Sequence, residues 1–337
     1  MPQLLYITTS VEDYLSDSLL HGLRSLYGAD VVDYPKCEFL YKNCPPTSRQ
    51  RVRGNGFTLY TGLLDDIGID RTHIEDRLRR GVFDWVVFGD IWRQFGTYVQ
   101  LLPWLDPRRT ALVDGADSPR LYPYAGLWYR KPYYLKLPRV SPESLYFKRE
   151  WTPQSRAGYY QELVPTSLRG WLPAPVNLRP IAFSIPEQKI VTGPPEKTQL
   201  FPAHIVDPEL ARLLPGAATS YAFSNERDYY ADLQRSRFGI TTKRAGWDCL
   251  RHYEIAANGA VPCFRDFLAK PVTSAPHGLS RSNCVFYRDA ADLLQQTSEM
   301  SPEHYAELQA NAIAWAHANS TVARARAFLA ALESSSS

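Results

Sequence analysis

The chain has 337 residues, of which 45% are hydrophobic and 13% aromatic, and its formal net charge is +3 at pH 7. That length suits two cores of roughly 150 residues better than one, and the apolar share excludes a disordered chain. No apolar run approaches the ~20 residues that span a bilayer, and five cysteines without zinc-ligand spacing fit a reduced, cytoplasmic setting.

Residues 4–8 form a short apolar run that reads as a first strand rather than a leader. Apolar side chains at Leu15, Leu19, Leu20, Leu23 and Leu26 recur at helical spacing, so 13–26 reads as a helix. Residues 30–33 read as a second strand and 70–80 as a charged helix. The runs 83–90 and 110–114 are buried-type strands ending in Asp90 and Asp114. This alternation predicts a parallel sheet wound with helices. From 119 to 180 Pro and Tyr dominate, and the end of that stretch reads as a domain crossover. A second alternating block follows, with strands at 189–192, 219–223, 237–241, 261–264 and 284–287. Its helices fall at 226–234 and 246–258, and an Ala-rich helical region over 302–332 is long enough to pack back across both halves. The closing serines read as a frayed tail. The division is thus 1–180 and 181–333.

The segment 236–264 carries the most chemistry. A strand runs into a small loop bearing Lys243, Arg244 and Gly246, and a helix is expected to start near Trp247 or Asp248. A helix N-terminus offers unpaired N–H groups and a partial positive charge, which favour phosphate, and the two cations add to it. Arg251 and Glu254 stand three apart and share a helix face. Glu254 suits vicinal ribose hydroxyls, while Arg251 orients it or reaches phosphate. Asn258 and Gly259 close the helix, and Pro262 begins the next strand. Such a site lies at the carboxyl ends of strands, where open α/β sheets bind ligands. His277 is placed to line the cleft between halves, and His252 reads as structural.

In the first half, Asp90 and Asp114 end strands, as suits an acceptor-side base; the plain alternative is that each caps the following helix. Asp114 and Asp117 also offer two carboxylates to a cation, but two alone do not define a Mg²⁺ site. Residues 101–180 hold twelve basic side chains against six acidic ones. There Arg130, Lys131 and Lys136 interleave with Trp128, Tyr129, Tyr133 and Tyr134, a composition that fits an anionic acceptor or an irregular aromatic core.

The run Ser-x-Phe-Gly, Gly-Trp, Arg-x-x-Glu-x-x-Ala-x-Gly-x-x-Pro, within Ser236 to Asp289, resembles the donor-site signature of GT-B-fold glycosyltransferases, exostosin-like and bacterial family-1-type enzymes in particular. The resemblance implies two Rossmann-like α/β domains facing each other across a cleft. It also implies a nucleotide-sugar donor as co-substrate, with no further cofactor and no metal site assigned. Glu254 matches the ribose-binding Glu, Arg251 the Arg before it, and Gly259 with Pro262 the turn. Lys243, Arg244, Gly246, Trp247 and His277 then fall on the donor side. Lys243 or Arg244 would stabilise the leaving β-phosphate, and Asp90 or Asp114 would serve as base if the reaction inverts. Two departures stand out. Eight residues past Glu254 comes Pro262 instead of a second Glu, and Val11-Glu-Asp13 replaces a Gly-rich turn after the first strand. The acceptor stays open between a saccharide or other anionic molecule and a modified base in DNA. A non-catalytic nucleotide- or sugar-binding protein of the same fold is the further alternative.

Overall fold

The computed structural model describes residues 2–9, 11–50, 52, 59–124, 137–156, 164–169, 171, 176–220 and 223–336. The first sheet consists of β1 (Leu4–Ile7), β2 (Val31–Tyr34), β3 (Trp85–Phe88), β4 (Thr110–Asp114), β5 (Leu145–Lys148) and β6 (Asn177–Pro180). Its order is β2-β1-β3-β4-β5-β6, with every pair parallel. The second sheet is β7 (Phe238–Thr241), β8 (Val261–Arg265) and β9 (Val285–Tyr287), also parallel and in that order. Isolated bridges from Gln199 to Ser236 and from His204 to Ala218 widen it on the β7 side. The strands read as continuous apolar runs because helices cover both faces of a parallel sheet.

The helices described are α1 (Tyr14–Tyr27), α2 (Pro46–Gln50), α3 (Ile74–Arg79), α4 (Ile91–Leu101), α5 (Thr166–Arg169), α6 (Pro208–Leu213), α7 (Glu226–Arg235), α8 (Leu250–Ala257), α9 (Ala290–Ser298), α10 (Pro302–Ala318) and α11 (Thr321–Ser336). None is long and apolar enough to cross a membrane. The two-sheet α/β architecture is the one the sequence predicts.

Two positions follow from this topology. In the first sheet β1 has β2 on one side and β3 on the other, so the chain reverses direction across the sheet there. The crevice at such a switch point is where open α/β sheets take ligands. The chain leaves the first sheet after Pro180 and returns after α10, and the two crossing segments pair: Ile185 N–H donates to Asn319 O at 3.2 Å and Thr321 N–H to Ile185 O at 2.9 Å. From there α11 lies against α1. Gly22 permits this, since a Cβ there would stand 2.0 Å from Thr321 O. His21 Nδ1 and Thr321 Oγ1, 2.8 Å apart, join the same contact.

Several elements differ from expectation. Strands β5 and β6 sit inside the Pro- and Tyr-rich tract, where their short apolar stretches are sheltered by neighbours distant in sequence. The expected strand at 189–192 is preceded by a 3-10 turn at Glu187–Lys189 and joins neither sheet. Around 219–223, of which 221–222 lie outside the described residues, there is only the bridge at Ala218. Helices α2, α4, α5, α6 and α9 have no counterpart among the expected elements. The Ala-rich region divides at Asn319, whose side chain bonds back to Trp315 O, and α11 carries the expected tail as far as Ser336. Arg130, Lys131 and Lys136, with Trp128, Tyr129, Tyr133 and Tyr134, lie outside the described residues.

Candidate functional site

The halves meet at the loop joining β7 to α8. Helix α8 begins at Leu250 with Cys249 as its N-cap, later than the sequence suggests. The reason is that residues 246–248 bond to the first half. Glu150, just beyond β5, places Oε1 2.8 Å from Trp247 N and 3.1 Å from Asp248 N. A Cβ on Gly246 would stand 2.5 Å from the same oxygen. Burial, countered by Arg149, raises the Glu150 carboxyl above the usual range. The backbone N–H groups expected to take phosphate are therefore already held by a protein carboxylate.

Arg149 completes the junction. Its guanidinium donates to Asp248 O at 2.7 Å and to Gly115 O at 2.8 Å, pairs with Asp117, and lies 4.5 Å from the Phe183 ring centroid. Asp248 in turn accepts from Phe183 N–H and Tyr253 Oη, each at 2.9 Å. A buried polar network so fully paired holds the two halves in one register.

Beside this junction lies a cavity of about 350 Å³, lined by Glu12, Asp13 and Arg93 of the first half and by Arg244, Gly246 and Cys249 of the second. Asp13 caps α1 through Ser16 N–H at 2.9 Å and accepts from Arg93 at 3.1 Å. Arg93 also pairs with Asp90 at 3.0 Å. Asp90 caps α4 through Trp92 N–H at 3.1 Å, and its carboxyl is pushed up to about 6 by burial and then by the Asp13 charge, against the pull of Arg93. The switch crevice of the first sheet thus holds two carboxylates sharing one guanidinium.

Asp114 is enclosed and not open to an acceptor as its place at a strand end suggests. It is 0% exposed and accepts from Lys148 Nζ at 2.7 Å, Trp92 Nε1 at 2.8 Å and Tyr146 Oη at 2.6 Å. With its lone pairs taken and no open face, it organises the sheet and cannot reach a ligand. Asp117 is likewise taken up by Arg149.

On the second half, Lys243, Arg244 and Arg251 form no ion pair among the described residues. Lys243 Nζ rests 5.4 Å from the Trp247 ring centroid, while Arg244 faces the cavity. Buried His204 joins them: burial lowers its pKa, its bond to Ser220 O opposes this, and the charges of Arg251 and Arg244 lower it further. Cations without counter-ions at the end of a sheet raise the local positive potential.

Glu254 does not pair with Arg251, although the two share a helix face. Its Oε2 accepts from Tyr229 Oη at 3.3 Å. Burial pushes it up to about 7, Arg251 opposes, and Glu226 adds to the rise. His252 is structural: it is fully buried, its Nε2–H donates to Trp247 O at 2.9 Å, and Nδ1 accepts from Thr241 Oγ1 at 2.8 Å. His277 does not line the cleft cavity; it belongs to a separate one against α11.

The geometry therefore gathers Arg244 and Gly246 with the first half's carboxylates, keeps Lys243, Trp247, Arg251 and Glu254 on the adjoining face, and sets Asp114 and His277 apart. Sequence reasoning missed Asp13, Arg93, Arg149, Glu150 and His204. Only Asp13 had a local signal, as a cap three residues before Ser16.

The architecture defines a class of fold, two Rossmann-like α/β domains across a cleft, of the GT-B kind. Two solved structures share it: the Anabaena protein HepE in complex with UDP-glucose (TM-score 0.53, 12% identity) and with UDP and glucose (TM-score 0.52, 11% identity), each match covering 99% of this chain and 100% of that one. At such identity the likeness is one of fold. No protein-family model matches the chain, and no curated protein matches it.

Proposed function

We propose that this protein is a glycosyltransferase that moves a sugar from a nucleoside-diphosphate donor to an acceptor hydroxyl in the cleft. The observation that carries the reading is Arg244, which lines the cavity opposite Asp13 and forms no ion pair among the described residues, with Lys243 just before it in the same loop and Arg251 in the first turn of α8. That HepE holds UDP-glucose on the same fold supports a uridine nucleotide as the first donor to try.

In this reading the donor lies on residues 181–333 and the acceptor on 1–180. Glu254 accepts hydrogen bonds from the donor ribose, with Tyr229 fixing its carboxylate. Negative charge grows on the β-phosphate as the anomeric bond breaks, and Arg244 at the cavity, supported by Arg251 and Lys243, stabilises it. The acceptor hydroxyl loses its proton to Asp13, which lines the cavity; Asp90 tunes that base through the shared Arg93.

The test is calorimetric titration of the intact protein with UDP and UDP-glucose, followed by a search for turnover. Saturable UDP binding that disappears in Arg244→Ala with Arg251→Ala supports the reading. Failure to bind any nucleoside diphosphate would overturn it.

A further inference from the structure

Where the two crossing segments pair, a second cavity of about 170 Å³ opens between α1 and α11. Its apolar walls include Leu19, Phe147, Ile181 and Phe328, and three nitrogenous side chains, Arg179, Arg324 and His277, border it. Among the described residues Arg179 makes one hydrogen bond, to Leu178 O at 3.3 Å, and Arg324 bonds to the neutral Asn319 carbonyl at 3.0 Å. Neither guanidinium has a carboxylate partner among the described residues. His277 Nε2 is buried and has no hydrogen-bond partner among the described residues. Two uncompensated cations and an orphaned ring nitrogen around an apolar space are costly unless an anion satisfies them.

We propose that this hinge cavity is a second binding site, for a small organic carboxylate. Planar guanidinium groups match a carboxylate bidentately, whereas the apolar walls require a hydrocarbon body that inorganic phosphate lacks. The volume suits one ring, since an apolar cavity of about 150 Å³ accepts benzene. Contacts come from the first half, from both crossing segments and, through His277, from the second half. Occupancy would tie the hinge together. The proposal does not depend on the chemistry of the cleft.

Benzoate is the probe, with benzyl alcohol as its neutral counterpart and inorganic phosphate as the bare anion, each titrated calorimetrically and by thermal unfolding into the full chain. Benzoate should bind saturably at ~1 mM or tighter and raise the unfolding temperature, with the other two at least tenfold weaker. Arg179→Gln and Arg324→Gln should each weaken benzoate about tenfold, as loss of a charged hydrogen bond does. Ala327→Phe, at an exposed rim position of α11, should exclude it; this variant serves if Arg324→Gln does not fold. The proposal is overturned if benzoate shows no saturable binding, if benzyl alcohol or phosphate binds as tightly, or if Ala327→Phe binds benzoate like the wild type. Displacement of benzoate by UDP would also overturn it, by making the cavity part of the cleft.

Discussion

Glu150 of the first half sits with one carboxylate oxygen 2.8 Å from the backbone nitrogen of Trp247 in the second, so close to Gly246 that a Cβ there would stand 2.5 Å from it. The junction uses the anion-binding capacity of the β7–α8 loop for a contact between halves. Glu150→Ala leaves the part-buried Trp247 and buried Asp248 N–H groups without their acceptor and takes one partner from Arg149, so it should destabilise the fold by about 2–4 kcal/mol. Gly246→Ala pushes the carboxylate away and should cost a comparable or smaller amount. Urea unfolding of both variants checks this; stabilities equal to wild type would show the contact to be dispensable.

Arg244 and Lys243 separate by what they touch. Arg244 lines the cavity, whereas Lys243 lies on the Trp247 ring. Charge on the leaving phosphate is larger in the transition state than in the bound donor, and groups sensing that difference act on kcat more than on KM. Arg244→Ala should lower kcat ~10²-fold, with donor KM changing far less, and Lys243→Ala should have a smaller effect. Steady-state kinetics with the donor identified by binding decides it.

Glu254→Ala should weaken nucleotide binding by about 1.5–3 kcal/mol, the worth of hydrogen bonds to a charged acceptor. The fold should persist, because among the described residues the variant removes one hydrogen bond, of 3.3 Å from Tyr229. Titration with UDP measures the loss, and wild-type affinity in a folded variant would remove Glu254 from the site.

The pH dependence of kcat/KM should show an acid limb near 6, the value at which Asp90 titrates. Protonating Asp90 removes the second carboxylate from Arg93 and leaves the guanidinium wholly to Asp13, where it competes with the acceptor, so activity rises with pH through that range. Arg93 lowers the Asp90 value, so Arg93→Met should move the limb upward. A limb that stays in place would dissociate the pair from catalysis.

Stability should also rise with pH, through a buried neutral histidine. Burial lowers His252 from 6.5 to about 4. Between those values the unfolded chain binds more protons, so stability falls as pH drops from 6.5 towards 4 and is unaffected by this group above 6.5. The loss at pH 5 is about 2 kcal/mol. Protonation would place a positive charge in a fully buried site, which is the cost. Urea unfolding at pH 7 and pH 5 should show the slope, and His252→Gln should reduce it.

What the sequence determined by itself was local. The apolar run at 4–7, the helix capped by Asp13, the strand ending before Asp90, and the β7–α8 segment all depend on side chains within a few residues of one another. Periodicity and caps report such neighbours directly. The placement of Arg251 and Glu254 on one helix face was legible for the same reason. Tertiary structure decided the rest. Asp114 reads as a strand-end carboxylate open to ligand, but the sheet order sets β5 beside β4 and brings Lys148 and Tyr146 onto it. The Trp247–Asp248 amides read as a phosphate site, but the meeting of the halves delivers Glu150 to them. His277 reads as a cleft residue, but α11 folds back on α1 and encloses it in another cavity. Each of these outcomes turns on a partner tens of residues away, fixed by strand order and by the pairing of the two crossing segments, to which nearest-neighbour patterns are blind.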